Sequence, residues 1–126
     1  MNDPTSVIDL AAIQVEAFWV VRSREGVLCA EPPLVPSDRH VGIRSLYSGF
    51  NVDTERLIFS GAGTIEFGET LNAPFLLGQF PSPVKYGESS VGIIERGPEH
   101  LIGRLVFCPF PHQSFYSVPI DSITPI

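Results

Sequence analysis

Lysine is nearly missing from this 126-residue chain: Lys85 stands alone beside seven arginines, and the basic residues never cluster. A protein that grips nucleic acid neutralises several phosphates with one positive face. Here 14 carboxylates outnumber eight basic groups and the formal charge is −6, so neither DNA nor RNA is expected as a partner. The carboxylates are scattered too, with no run of even three, which excludes an acidic tail. A negative surface of this kind still speeds encounter with a positively charged protein.

Cysteine is scarce. Cys29 and Cys108 are the only two, too few for a disulfide framework. Each lies in an apolar run, Val27-Leu28-Cys29-Ala30 and Leu105-Val106-Phe107-Cys108. Buried reduced thiols are expected, with a single bridge between strands as the alternative. No stretch reaches the roughly 18 consecutive apolar residues of a membrane helix. Met1-Asn2-Asp3-Pro4 lacks the basic-then-apolar order of a secretory signal, so a cytoplasmic location is expected. The excess of Arg over Lys and the rarity of Asn fit a GC-rich bacterial or phage genome. The chain also lacks a phosphate-cradling glycine loop, a nucleophile elbow and a metal-ligand set, so no cofactor and no metal is expected.

What the chain has in quantity is punctuation. Eleven glycines and twelve prolines fall between short apolar stretches from end to end. The 44% apolar and 17% charged content is that of a folded chain rather than a disordered one. Interruptions this frequent leave room for strands and tight turns but not, past the N-terminus, for three-turn helices. The expected fold is all-β: a single domain over residues 1–126, built as an antiparallel β-sandwich or small β-barrel of about eight short strands. One short helix is expected over residues 4–12, where Asp3 or Ser6 caps the start and Pro4 suits the first turn.

Glu16 to Arg22 is aromatic and β-branched, fit for a strand. Ser23-Arg24-Glu25-Gly26 reads as a turn with Gly26 in the left-handed position, and Val27 to Ala30 as the returning strand. Pro32 to Pro36 reads as an extended crossover. A strand over residues 40–47 is followed by a loop with Gly49, Asn51 and Asp53. Leu57, Phe59, Ile65 and Phe67 share one parity, which predicts a hairpin turning at Gly61-Ala62-Gly63. Phe75 to Phe80 reads as a strand, and Pro81 to Ser90 as the most flexible surface loop. Val91–Glu95 and His100–Cys108 make a second hairpin, and residues 114–118 a last strand.

Chemistry is harder to find. Ser82-Pro83-Val84-Lys85 matches the Ser-x-x-Lys spacing of serine acyl-transfer enzymes, but prolines flank the serine where a helix should begin. Cys108-Pro109-Phe110-Pro111-His112 sets a thiol and an imidazole four apart, with prolines able to turn them together. A structural turn is the plainer reading. Asp38-Arg39-His40, with Arg44 and Tyr47, is the densest polar cluster. Alternation puts His40, Arg44 and Leu46 on one strand face and Val41, Ile43 and Tyr47 on the other. His40 with Arg44 could hold an anion, or simply form a solvated face. Glu66 and Glu69 make no convincing acid/base pair. Pro33-Leu34-Val35-Pro36 has Pro-x-x-Pro spacing, which a stiff crossover explains equally well.

Residues 107–116 carry four aromatic rings around two prolines. Phe110, between those prolines, is either an exposed anchor for a partner or a cap on one open end of the sandwich. The candidate binding residues are therefore Phe110, His112, Tyr116, His40 and Arg44. The leading functional expectation is a small, acidic, non-catalytic protein-binding module, such as an adaptor, accessory subunit or immunity-type inhibitor. The alternative is a β-barrel holding a small ligand, with or without modest enzymatic activity, its cavity taking polar groups from His40, Arg44, Tyr47 or His112. Self-association through a free edge strand is a third option.

Overall fold

The computed structural model describes residues 14–32, 37–61 and 74–126. The expected helix at 4–12, the Pro33–Pro36 segment and the Ala62–Phe67 half of the expected hairpin, with Glu66 and Glu69, lie outside the described residues. Among the described residues the architecture is two antiparallel sheets with one α-helix. Among the described residues the sheets do not close into a barrel, and no helix is long and apolar enough to cross a membrane.

The first sheet has the order β2-β1-β5-β4. β1 (Glu16–Arg22) and β2 (Glu25–Ala30) form the expected hairpin, joined through Ser23-Arg24. Arg24, not Gly26, takes the left-handed conformation, with φ of 62°. Gly26 serves packing instead, because a Cβ there would lie 2.2 Å from the Phe18 ring. β5 (Val84–Lys85) pairs with β1 at Val20, and with β4 (Leu77–Gly78). Two cis peptide bonds, Phe80–Pro81 and Ser82–Pro83, lie between β4 and β5.

Here two expectations fail. The stretch from Phe75 to Phe80 yields only two strand residues. Residues 81–90 are not a surface loop throughout, since Val84, Lys85 and Tyr86 are all buried. Prolines and a lysine give the segment a loop's composition, but Val84 and Tyr86 pack against Val20 and Ile58, and Lys85 is held by Glu31 and Gln113.

The second sheet has the order β8-β3-β6-β7-β9. It comprises β3 (His40–Ser48), β6 (Ser90–Arg96), β7 (Leu105–Cys108), β8 (Phe115–Pro119) and β9 (Thr124–Pro125). The hairpin of β6 and β7 appears as expected, but its second arm begins only at Leu105, after a 3-10 turn at Glu99–Leu101, and β8, expected as the last strand, is followed by β9. Val41, Ile43, Ile94, Val106, Cys108, Tyr116 and Val118 pack into the main core with Phe110. Cys29 and Cys108 are both free.

Residues 52–60 overturn another expectation. Val52–Ser60 is an α-helix, α1, where a loop and a hairpin arm were read. The Asn51 side chain caps it by accepting from Thr54 N–H, Asp53 and Glu55 supply acid in its first turn, and Gly61 ends it in the left-handed conformation. Leu57 and Phe59 share a parity that suits a strand, which hid the capping signals at both ends. The helix buries Ile58 against Val20, Val84 and Tyr86, making a second, smaller core on the outer side of the first sheet.

β3 departs from simple alternation. Ser45 pairs with Gly92 and Tyr47 with Val91, so β3 holds one more residue than β6 across that interval. Such a bulge re-aims the side chains beyond it. Tyr47 is consequently 73% exposed instead of sharing the inner face with Val41 and Ile43. At the pinch, a Cβ on Gly92 would sit 2.4 Å from the Arg44 carbonyl oxygen and 2.5 Å from Ile43 Cγ2.

Phe110 also lies in the core. It is 8% exposed, stacked on Tyr116 at 4.0 Å between centroids and tilted against Phe75 at 5.2 Å. The ring caps the core, and an exposed anchor is excluded. Two stability outcomes follow. Gly92→Ala is expected to cost about 1–3 kcal/mol by overpacking, and Phe110→Ala about 3 kcal/mol or more by leaving a cavity. Both are read from urea unfolding midpoints at unchanged slope.

Candidate functional site

The two sheets meet at residues 111–114. Phe18 N–H donates to His112 O (2.9 Å) and Ser114 N–H to Glu16 O (2.9 Å), which adds this segment to the free side of the β1 end. Ser45 N–H of β3 then donates to Ser114 O (2.9 Å), tying the same segment to the second sheet. A Cβ on Gly87 would lie 2.7 Å from His112 N and from Pro111 Cα, so only glycine permits this approach. His112 is thus anchored by its backbone where both sheets converge.

Its side chain is held at both nitrogens. Nε2 faces Glu55 Oε1 of α1, and Nδ1 faces Ser48 Oγ at the end of β3. The other carboxylate oxygen of Glu55 accepts from Asn51 N–H at 3.2 Å. Phe50 stacks over the imidazole at 6.1 Å between centroids. A carboxylate can only accept, so Nε2 carries a proton. A neutral ring then accepts from the Ser48 hydroxyl at Nδ1, and a charged ring donates to it. The row Glu55, His112, Ser48 is therefore satisfied with or without a second proton on the ring, which is the requirement for acid/base work. The same residue types serve acyl transfer, but the amide following Ser48, Gly49 N–H, is committed to Ser89 O at 2.7 Å and cannot stabilise an oxyanion.

Beside Glu55 opens a cleft of about 270 Å³ lined by Phe18, Val20, Phe50, Glu55, Ile58, Phe59 and Tyr86. It is apolar except at the carboxylate and the Tyr86 phenol. Burial first, then the neighbouring Glu88 and Glu55 carboxylates, push the Tyr86 phenol up to about 12. Behind the site is a buried cation. Lys85 Nζ, its residue 3% exposed, donates to Gln113 Oε1 (2.5 Å) and pairs with Glu31 Oε1 (3.4 Å). It lies 5.8 Å from the Trp19 ring centroid and 5.7 Å from that of Phe110. Trp19 Nε1–H donates to the same Glu31 oxygen at 2.8 Å. The chemistry of Lys85 is that of a strut between sheets, and its listening partners are Glu31 and Gln113, not Ser82.

Of the residues read from the sequence, only His112 enters this site. Its partners are Glu55 and Ser48, not the Cys108 thiol, which burial pushes up to about 11. Tyr116 is fully buried, its phenol bonded to Ser90 Oγ at 2.9 Å. His40 Nδ1 donates to Asp38 O at 3.0 Å. Arg44 lies on the outer face, paired with Glu95 at 2.6 Å, where it borders a shallow groove with Arg96 and Phe115. His40 and Arg44 are thus engaged separately. Glu55 could have been found from its helix, by the Asn51 cap and Gly61 stop. Ser48 had no signal, because the bulge that aims it depends on pairing with β6. Among the described residues no three His, Cys, Asp or Glu side chains converge as metal ligands.

No family model and no curated protein matches the chain. Solved structures do. The CurK enoyl reductase superposes with a TM-score of 0.66 at 15% identity, over 90% of this chain and 36% of its own. A Bacillus thuringiensis protein described as an NADPH:quinone reductase gives 0.63 at 16%, over 91% and 34%. The human synaptic vesicle membrane protein VAT-1 homolog-like protein gives 0.60 at 17%, over 90% and 36%. The chain shares their fold. It spans about a third of the length of each. This overturns the expectation of a non-catalytic protein-binding adaptor: the β fold recurs as part of reductase chains, and the ring offered as its docking anchor is in the core. Among the described residues the two sheets stay open, which speaks against the barrel alternative.

Alkali should expose the buried phenols. An unfolded tyrosine ionises near pH 10, whereas burial holds both Tyr86 and Tyr116 protonated to about 12. Between those values the folded state binds more protons than the unfolded, so stability falls as pH rises. Melting temperatures measured from below pH 10 up to 12 should drop through that window, and the drop should flatten in the Tyr86→Phe, Tyr116→Phe double variant.

Proposed function

We propose that this chain forms the substrate-side part of a nicotinamide-dependent reductase, acting on a conjugated carbonyl or quinone. The observation that carries the reading is His112, held between a hydroxyl and a buried carboxylate that itself lines an apolar cleft. The fold shared with an enoyl reductase and with a protein described as an NADPH:quinone reductase supports it. Reduction of such substrates requires a proton as well as a hydride. Glu55 fixes Nε2 and the ring orientation, and Ser48 carries the exchangeable proton outward from Nδ1. Phe50 covers the ring and limits water on that side.

The chain does not itself fit the nucleotide's phosphates: its sequence contains no Gly-x-Gly-x-x-Gly turn. The dinucleotide is accordingly assigned to a part of the enzyme outside these residues, and no step here is routed through it. The cytoplasmic location expected from the sequence remains part of this proposal.

The protein as produced in its host should oxidise NADPH or NADH in the presence of a benzoquinone or an α,β-unsaturated carbonyl compound. His112→Gln should lower kcat by about 100-fold or more with a much smaller change in KM and an unchanged circular dichroism spectrum. Absence of nucleotide oxidation with every such acceptor, or full activity in His112→Gln, would sink the proposal.

A further inference from the structure

We propose that the cleft beside His112 is a binding site for a small organic cation, an ammonium or alkylammonium group held by Phe18, Phe50, Phe59 and Tyr86 against the Glu55 carboxylate. Four of the residues lining this space of about 270 Å³ are aromatic, and Glu55 is the one charged residue among them. Arg56, next to Glu55 on α1, is exposed and does not line the cleft.

The chemistry discriminates between occupants. A neutral apolar ligand would gain from the rings, but by displacing water it would leave the Glu55 carboxylate, already only 9% exposed, with nothing beyond His112 and the Asn51 amide to offset its charge. An anion would be repelled by Glu55 and by Glu88, which accepts from the Tyr86 hydroxyl at 3.3 Å. A cation gains on both counts. The electron-rich ring faces attract it, and the carboxylate, weakly screened in an apolar cleft, attracts it further. His112 does not line the cleft and engages a single carboxylate oxygen, with the Asn51 amide on the other, so the carboxylate keeps acceptor capacity for a ligand. Phe50, 67% exposed, and Phe59, 39% exposed, stand at the mouth, where they can close over a ligand of this size.

The inference concerns binding alone and does not depend on the reductase reading. If both hold, the preferred substrates carry a positive charge near the reducible centre.

Choline and its uncharged isostere 3,3-dimethylbutan-1-ol make the test, titrated by NMR against the ring signals of Phe18, Phe50, Phe59 and Tyr86. Choline should bind about tenfold more tightly than the alcohol or better, a preference worth about 1.4 kcal/mol. Glu55→Gln should abolish the preference. Phe50→Leu, at an exposed position with little bearing on folding, should weaken choline more than the alcohol and so narrow the preference. Equal or tighter binding of the alcohol overturns the proposal, as does choline that shifts none of these rings at high millimolar concentration. Either result would leave NADPH oxidation untouched, and a failed oxidation assay would leave the choline titration untouched.

Discussion

Residues 111–114 hold this structure together. They continue the first sheet beyond β1 while handing a carbonyl to β3 of the second, so two sheets with separate cores become one body. Backbone bonds set this geometry, and every candidate functional feature inherits it. Phe110 turns into the main core on one side of the junction, and His112 turns outward between α1 and the end of β3 on the other. The close approach at Gly87 makes the junction possible, because there the chain of the first sheet passes within contact of Pro111 and His112.

Beneath the junction lies Lys85, and its position clarifies why a charge is tolerated there. An isolated buried ammonium would be costly. Here Glu31 and Gln113 accept from it while Trp19 and Phe110 present rings nearby. These partners come from the end of β2, the junction, β1 and the 109–111 turn, so the ion pair registers four parts of the chain against one another. A buried pair of this kind contributes little net stability over apolar packing. Its value lies in fixing one arrangement, which in turn keeps Gln113, and with it His112, in place.

Much of the β architecture could be read from the chain because the signals were local. The hairpins of β1 with β2 and of β6 with β7 have alternating apolar residues bounded by Gly and Pro, and both appear, the first with nearly the expected limits and the second with a shorter returning arm. Helix α1 was hidden by Leu57 and Phe59, whose parity imitates a strand, although Asn51 and Gly61 mark its two ends. The segment around Val84 has the composition of a loop, and only its place between β1 and β4, packed against Ile58 of α1, makes it a central strand.

The class of fold and the small number of charges available for chemistry were legible along the chain, because chain-breakers and apolar alternation act over a few residues. The sequence also placed His112 among the candidates. What the histidine does was decided by tertiary structure alone. Ser48, Glu55 and His112 come from separate elements, and a bulge, a capped helix and a sheet junction must all form before their side chains meet. No spacing along the chain encodes that meeting, since each partner is aimed by hydrogen bonds made to residues far away in sequence.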